Sequence, residues 1–481
     1  METHGLGMTL RKNMKMIRSL KAELSAFLPL FGPILISQYA QVANGVVDTA
    51  MVARLGPEAL ACVAMGVAWW MPIYMFVVGV LFGILVIISQ YYGAGDTQNV
   101  RVAAWQGIWL GGFLGLCAMA LLFLLTFGAP WLGAPEELIQ GSQAYARMVM
   151  LGFPFGAAAV AIRFYCEGQG VVFPITVMTI LTVGWNTLFN YLLMFGNFGF
   201  PALGVLGCGL ATALSMAMFL VMALLYTGVS RRFANSRLLP VFVLPRFSML
   251  KQIFCVGIPV GFSVTSDYLV LSVITMFIGS IGTIPVAAHQ VTFSCTMLFF
   301  AVPAAVSFAA SIRVGNLKGA GDAAKLRNSV SCILQACAGI GIFIAVVMYF
   351  NADTLALFFS KDPNVAIVST GLIQIAAVFL FADGMQVCCN GILRGVGDTT
   401  VPFAISALSA WLVCMPLGYV LSSMTLPFGF VIPYEPFGVK GWWIALIASL
   451  SVASILLFLR VRKTFPKAEH VIFSICCAKN P

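Results

Sequence analysis

ALACVAMGVAWWMPIYMFVVGVLFGILVIISQ, residues 59–90, runs for thirty-two positions without a charged side chain. A helix needs about 20 consecutive apolar residues to cross the hydrocarbon of a bilayer, so this stretch is long enough to span it. The pattern repeats outward in both directions, for example over residues 174–197, and the whole chain is 61% hydrophobic and 9% charged across 481 residues. Soluble domains average about 25% charged residues, which this chain cannot supply. Cutting at Gly, Pro and charge clusters predicts twelve spans, near 24–51, 59–90, 102–127, 142–166, 174–197, 204–229, 252–279, 286–312, 328–350, 364–393, 400–426 and 441–460. The expected fold class is an all-α polytopic membrane protein.

The net charge of +10 does not mark a nucleic-acid binder, because the basic residues sit in short runs between apolar spans. With twelve spans both termini fall on one side, and 22 of the 26 Lys and Arg residues fall there too, leaving Arg54, Arg147, Lys361 and Lys440 opposite. The positive-inside rule therefore predicts cytoplasmic termini. The first 23 residues are a basic tail (Arg11, Lys12, Lys15, Arg18, Lys21), and the long apolar stretch after them lacks a small-residue cleavage site, so no removable signal peptide is expected. The thirteen cysteines, including the pairs Cys388/Cys389 and Cys476/Cys477, lack metal-ligand spacing and read as small apolar residues.

An internal repeat organises the chain. Shifting residues 55–101 by 226 aligns Gly56 with Gly282, Ala61 with Ala287, Phe82 with Phe308 and Arg101 with Arg327, and lays Gly93-Ala94-Gly95-Asp96 on Gly319-Ala320-Gly321-Asp322. Gly168 and Gly170 match Gly395 and Gly397 one residue further along. The chain thus divides into a tail (1–23), a six-helix lobe (24–229), a basic linker (230–251), a second six-helix lobe (252–460) and a tail (461–481). Because six is even, the two lobes enter the membrane from the same side and are expected to be pseudo-symmetric about an axis along the membrane normal.

Of sixteen acidic residues, thirteen lie in tails, loops or span ends, and three fall well inside spans: Asp48, Asp267 and Asp383. Each costs on the order of 2.5 to 3.5 kcal/mol to insert at the bilayer centre, so each is expected to face a polar cavity, where such acids mark ion or proton pathways. Gln41, Asn44 and Asp48 share one helix face at i, i+3 and i+7, and Asn186 and Asn190 share another. Together with Thr212 these oxygens could relay a proton or hold a small hard cation; for the amides and the hydroxyl, interhelical hydrogen bonding is an equal alternative. In the second half Asp383, Gln386 and Asn390 repeat the i, i+3, i+7 spacing, while Asp267 aligns with Gln41 and Asp48 with Ile274, so the acids are not duplicated. Gln290, beside His289, and Phe379 are further candidates for lining a cavity that takes flat apolar ligands.

No G-x-x-x-x-G-K-[ST] loop, H-E-x-x-H helix or G-x-S-x-G elbow occurs, so no nucleotide hydrolysis or other enzymatic chemistry is expected, and uphill transport would draw on an ion gradient.

Gln41-Val42-Ala43-Asn44-Gly45-Val46-Val47-Asp48-Thr49 with Arg54-Leu55-Gly56, Ala287-Ala288-His289-Gln290, and Asp383 followed by Leu393-Arg394-Gly395-Val396-Gly397-Asp398-Thr399 resemble the multidrug and toxic compound extrusion (MATE) family, in particular its bacterial NorM-type branch. The resemblance covers about residues 24–460. It implies a V-shaped fold of two six-helix lobes in the inner membrane that exports cationic, amphipathic drugs and dyes in exchange for sodium ions or protons, as a monomer without cofactor. Carried over by position, the family's amino-lobe ion or proton site falls on Asp48, Asn186, Asn190 and Thr212, and its carboxy-lobe site on Asp267 and Asp383. Two positions depart from the pattern: Asp267 stands where Glu is usual, and Phe379 where a Tyr hydroxyl often adds an oxygen. A lipid or lipid-linked oligosaccharide flippase on a related scaffold is the alternative, but its phosphates would want a cationic cavity, and the mid-membrane charges here are acidic.

Overall fold

The computed structural model describes residues 2–128, 135–238, 242–422 and 437–465, with side chains from residue 23 onward. The Cys476/Cys477 pair lies outside the described residues. Twelve helices among them are long and apolar enough to cross a membrane: α1 (Glu23–Ala53), α2 (Pro57–Gly93), α3 (Thr97–Gly128), α4 (Glu136–Gly168), α5 (Phe173–Phe195), α6 (Val205–Val229), α7 (Phe247–Gly279), α8 (Thr283–Gly319), α9 (Ala323–Phe350), α10 (Pro363–Gly395), α11 (Thr400–Ser422) and α12 (Val439–Thr464). The expected number and order of spans hold.

Local sequence explains where the helices depart from α geometry. Pro154 lacks an N–H, and α4 takes a 3₁₀ step at Met150–Gly152 just before it. Pro416 likewise leaves the carbonyl of Leu412 without its i+4 donor, and α11 widens into a π-helical stretch over Ser409–Cys414. At the end of α2, Gly95 adopts φ +75° and Asp96 caps α3, accepting from the Asn99 N–H at 3.0 Å. The repeat of that turn has Gly321 at φ +70°, so the shared Gly-Ala-Gly-Asp encodes a left-handed residue that glycine adopts without steric cost.

The chain forms two compact units that do not follow the halves of the repeat. Unit 1 holds residues Met1–Leu269, Ser311–Asp322 and Gly395–Phe403, and unit 2 holds Val270–Ala310, Ala323–Arg394 and Ala404–Pro481. Lipid gives helices little hydrophobic reason to associate, so close backbone packing at small residues carries cohesion. In unit 1, a β-carbon added at Gly79 of α2 would lie 2.6 Å from the Gly261 Cα of α7, and one at Gly83 would lie 2.5 Å from the Ile253 carbonyl oxygen. Further along α2, Gly93 abuts the Asn316 carbonyl of α8, Gly319 of α8 abuts the Gln90 carbonyl of α2, and Gly315 meets Ser89. These contacts are reciprocal under the 226-residue shift, which exchanges 93 with 319 and 90 with 316 and pairs 89 with 315. A two-fold relation between α2 and α8 requires that pattern. Gln90 also donates from Nε2 to the Gly395 carbonyl at 2.9 Å. Unit 2 is centred on Trp442 and Trp443, both almost fully buried, with Gly418 of α11 packed beneath the Trp442 ring.

Candidate functional site

Asp48 sits near the end of α1, on the face the i, i+3, i+7 spacing defines. A polar clamp fixes α1 against α5 about three turns earlier: the Thr176 hydroxyl donates to the Pro33 carbonyl at 2.8 Å and accepts from Ser37 at 2.9 Å. Both helices are odd-numbered and run in the same direction, so the same pairing carries α1 past α5 to Asn190. There the Asn190 Nδ2 donates to Asp48 Oδ1 at 2.6 Å and to Asn186 Oδ1 at 3.1 Å, and Asn44 donates to Asp48 Oδ2 at 3.3 Å. Asn186 and Asn190 are almost completely buried, 1% and 0% exposed, whereas Asp48 keeps partial access.

The electrostatics are unusual for a membrane interior. Buried charges are ordinarily paired, yet no ion pair reaches Asp48 among the described residues, and its partners are neutral amides. The buried Asn190 Oδ1 and Asn186 Nδ2 make no hydrogen bond. An oxygen acceptor and a carboxylate without a countercharge form a site that a cation or a proton would complete. Thr212 of α6 approaches the same corner through Tyr145 of α4, whose phenol lies beside Thr212 and Trp70 and within the field of Asp48. The structure therefore brings Asp48, Asn44, Asn186 and Asn190 together directly, while the Thr212 hydroxyl donates to the Cys208 carbonyl of its own helix at 3.1 Å.

The remaining predicted residues are distributed differently. Gln41 is exposed and bonds to the Ser37 carbonyl and to Gln38 of its own helix, one turn and more from the carboxylate. Asp267 is exposed near the end of unit 1, and Asp383 is partly buried in unit 2. Gln386 and Asn390 are buried; Gln386 donates to Ser406 at 3.3 Å, and the side-chain carbonyl oxygens of both are left without a hydrogen bond. Gln290 is exposed on α8. Phe379 is 8% exposed and packs edge-on against Trp443 with ring centroids 5.4 Å apart, within the core of unit 2. Its β-carbon register on α10 turns it towards the tryptophans, which the spacing alone did not distinguish from the polar face.

Two features escaped the sequence reading. Tyr145 looks like any aromatic in a span, and only the structure reveals that its phenol lies beside Thr212 and Trp70. Arg163 and Glu167 are the second: the pair lies in the last turns of α4, which ends at Gly168, as the span-end reading expects, but Glu167 is buried there. Glu167 is 1% exposed and accepts from Arg163 at 2.7 Å, a partnership that its i, i+4 spacing with opposite charge could have signalled.

Twelve spans, a two-fold internal repeat and a carboxylate held by neutral amides inside one lobe fit the class of membrane transporters. The MatE family model matches residues 33–192 and 259–420, and the chain belongs to that family. It is 32% identical over 448 residues to the multidrug resistance protein PmpM of Pseudomonas aeruginosa, covering 92% of each chain. It is also 32% identical to a probable multidrug resistance protein NorM of Chromobacterium violaceum, over 91% of this chain and 93% of that one. Among solved structures, an outward-facing multidrug resistance MATE family transporter of the MOP superfamily superimposes with a TM-score of 0.83 at 20% identity, over 93% of this chain and 97% of that one. A MOP superfamily transporter from Pyrococcus furiosus gives 0.82 at 20% identity, over 92% and 96%. The protein is thus a multi-pass membrane transporter of the MATE fold.

Proposed function

We propose that the protein is a secondary active antiporter that exports cationic, amphipathic drugs and dyes in exchange for sodium ions or protons. The observation that carries this reading is Asp48, a carboxylate held by the amides of Asn190 and Asn44 with no cationic partner among the described residues. A drug cation, a sodium ion or a proton can each neutralise it, and two of them cannot do so at once. Ion or proton entry from outside weakens the hold on the drug and favours its release; return to the inward state frees the ion and restores the charge for the next cargo. Alternating access converts that competition into exchange. The PmpM and NorM relatives are named as multidrug resistance proteins, which supports drugs as cargo.

The glycine seam between α2, α7 and α8 supports a conformational cycle. It joins span ends on the side of the amino terminus, which the charge asymmetry makes cytoplasmic, in the cell's inner membrane. Inward opening would require those backbone contacts to separate. The Pyrococcus furiosus neighbour is described as having a binding pocket of reverse polarity that suggests a different function, so pocket sign matters within this fold. An acidic site here favours a cationic cargo over a phosphate-bearing lipid.

The test is ethidium efflux from proteoliposomes holding the purified protein, with a sodium gradient and a pH gradient imposed in separate experiments. Efflux driven by one gradient establishes antiport and names the ion. Folded protein that responds to neither overturns the reading.

A further inference from the structure

The described residues of the linker between the two repeats, 230–238 and 242–251, are fastened to α3 and its neighbours as a strap. Arg101 donates to the Asn235 carbonyl at 3.0 Å, Trp105 Nε1 to the Leu238 carbonyl at 3.2 Å and Trp109 Nε1 to the Val243 carbonyl at 3.1 Å. Gln106 donates to the Leu244 carbonyl at 3.0 Å and accepts from the Arg246 N–H at 2.6 Å. At the strap's start Phe233 is fully buried against Tyr165 and Tyr226, and the Tyr165 hydroxyl donates to the Ser236 carbonyl at 2.8 Å. The linker's backbone is therefore fastened at six points.

The depth of this strap follows from helix geometry. Arg101, Trp105 and Trp109 are four residues apart on one face of α3, so the fastenings run about 12 Å along the helix. The 32 residues of α3 make it about 48 Å long, roughly 18 Å more than a 30 Å hydrocarbon core. An excess of that length at the amino-terminal end of α3 would put the strap at headgroup level, where Trp is favoured because its ring is apolar and its N–H finds a polar partner. Both indoles use that N–H on the strap, and Phe242 packs edge-on against them with centroids 4.9 and 5.6 Å away.

The outward face of the strap is amphipathic. Phe242, Leu244 and Phe247 are 59%, 69% and 83% exposed, next to exposed Arg246, with Arg231 and Arg232 exposed at the start. Residues 230–251 carry five basic side chains and no acidic one. The buried Nε atoms of Arg101 and Arg237 make no hydrogen bond, leaving donors beneath the strap unused. Apolar side chains at acyl-chain level with guanidinium groups at the adjoining polar layer match an anionic phospholipid, whose headgroup supplies the missing negative charge.

We propose that this strap is an anionic-phospholipid binding surface, with Arg231, Arg232 and Arg246 on the headgroup and Phe242, Leu244 and Phe247 on the acyl chains. It requires only that the chain spans a membrane and is independent of the cargo and the coupling ion. The test is native mass spectrometry of the full-length protein with phosphatidylglycerol and phosphatidylcholine of identical chains. The wild type is expected to retain phosphatidylglycerol at least about tenfold over phosphatidylcholine, given about fivefold per arginine near an anionic surface. The triple variant Arg231→Gln/Arg232→Gln/Arg246→Gln is expected to lose that preference, and the triple Arg→Lys variant to keep it. Soluble glycerophosphoglycerol at equal concentration is expected not to compete, because the apolar half of the site stays empty. Equal retention of the two lipids by the wild type, an unchanged preference in the Gln variant, a loss in the Lys variant or full competition by the soluble headgroup would each overturn the proposal.

Discussion

Asp48 is the residue on which the transport reading turns, and its hydrogen bonds make specific demands on variants. Asp48→Asn keeps the shape and removes the charge. Ethidium export at equal expression is expected to fall at least tenfold, as measured by fluorescence in cells or vesicles, with the melting temperature little changed. Asn190→Ala removes a bond to a charged acceptor, a class worth about 1.5 to 3 kcal/mol. Export should drop by about tenfold there too, because the carboxylate loses the contact at 2.6 Å that fixes its direction. Unchanged export in both variants would mean that coupling resides elsewhere. At this scale much was legible in the sequence: a carboxylate in an apolar span is costly wherever it points, so Asp48 identifies itself, and the four-residue spacing of Asn186 and Asn190 puts their amides on one face. Tyr145 was not legible, since an aromatic in a membrane helix has no cost that would single it out. Phe379 shows the converse limit, because a lipid-facing, a cavity-lining and a core phenylalanine look alike until packing is known.

Helices and turns were read with more success than contacts. The spans emerge because twenty uncharged residues in a row have few other uses, and the repeat of Gly-Ala-Gly-Asp signals a shared turn because a left-handed residue followed by a helix cap constrains all four positions. What the sequence could not show is that the repeated segments touch each other, Gly93 on Asn316 and Gly319 on Gln90, because a shift by 226 says that two pieces are alike and not where they lie. The seam makes a prediction with an internal control. Gly315→Val forces a side chain into Ser89, and overpacking of this kind costs about 1 to 3 kcal/mol. Thermal unfolding in detergent is expected several degrees lower, with export reduced at least fivefold. Gly112→Val, on α3 where an added β-carbon meets nothing within 4 Å, is expected to leave both unchanged. Equal behaviour of the two variants would show that the seam does not contribute as described.

Alternating access requires the seam between α2 and α8, which lies within unit 1, to open and close, and the seam supplies a place to arrest that motion. In a cysteine-depleted background, Ala94→Cys and Ala320→Cys flank the contact between the ends of α2 and α8. Joining them with a short cleavable bismaleimide is expected to abolish export, and cleaving the linker to restore it; export that continues while the residues remain joined would exclude opening at this seam. The two units cut across the two lobes of the repeat, and that too was not legible in the sequence. Repeats report ancestry and topology, whereas contact units depend on how the spans pack. If drug and coupling ion compete for one carboxylate, equilibrium binding of ethidium to the purified protein reports that competition. Fluorescence anisotropy titrations at increasing sodium concentration and, separately, at decreasing pH are predicted to show the apparent Kd rising in proportion to one of the two ions, with the dependence lost in Asp48→Asn. An apparent Kd indifferent to both ions, or one that falls as either is added, would contradict it.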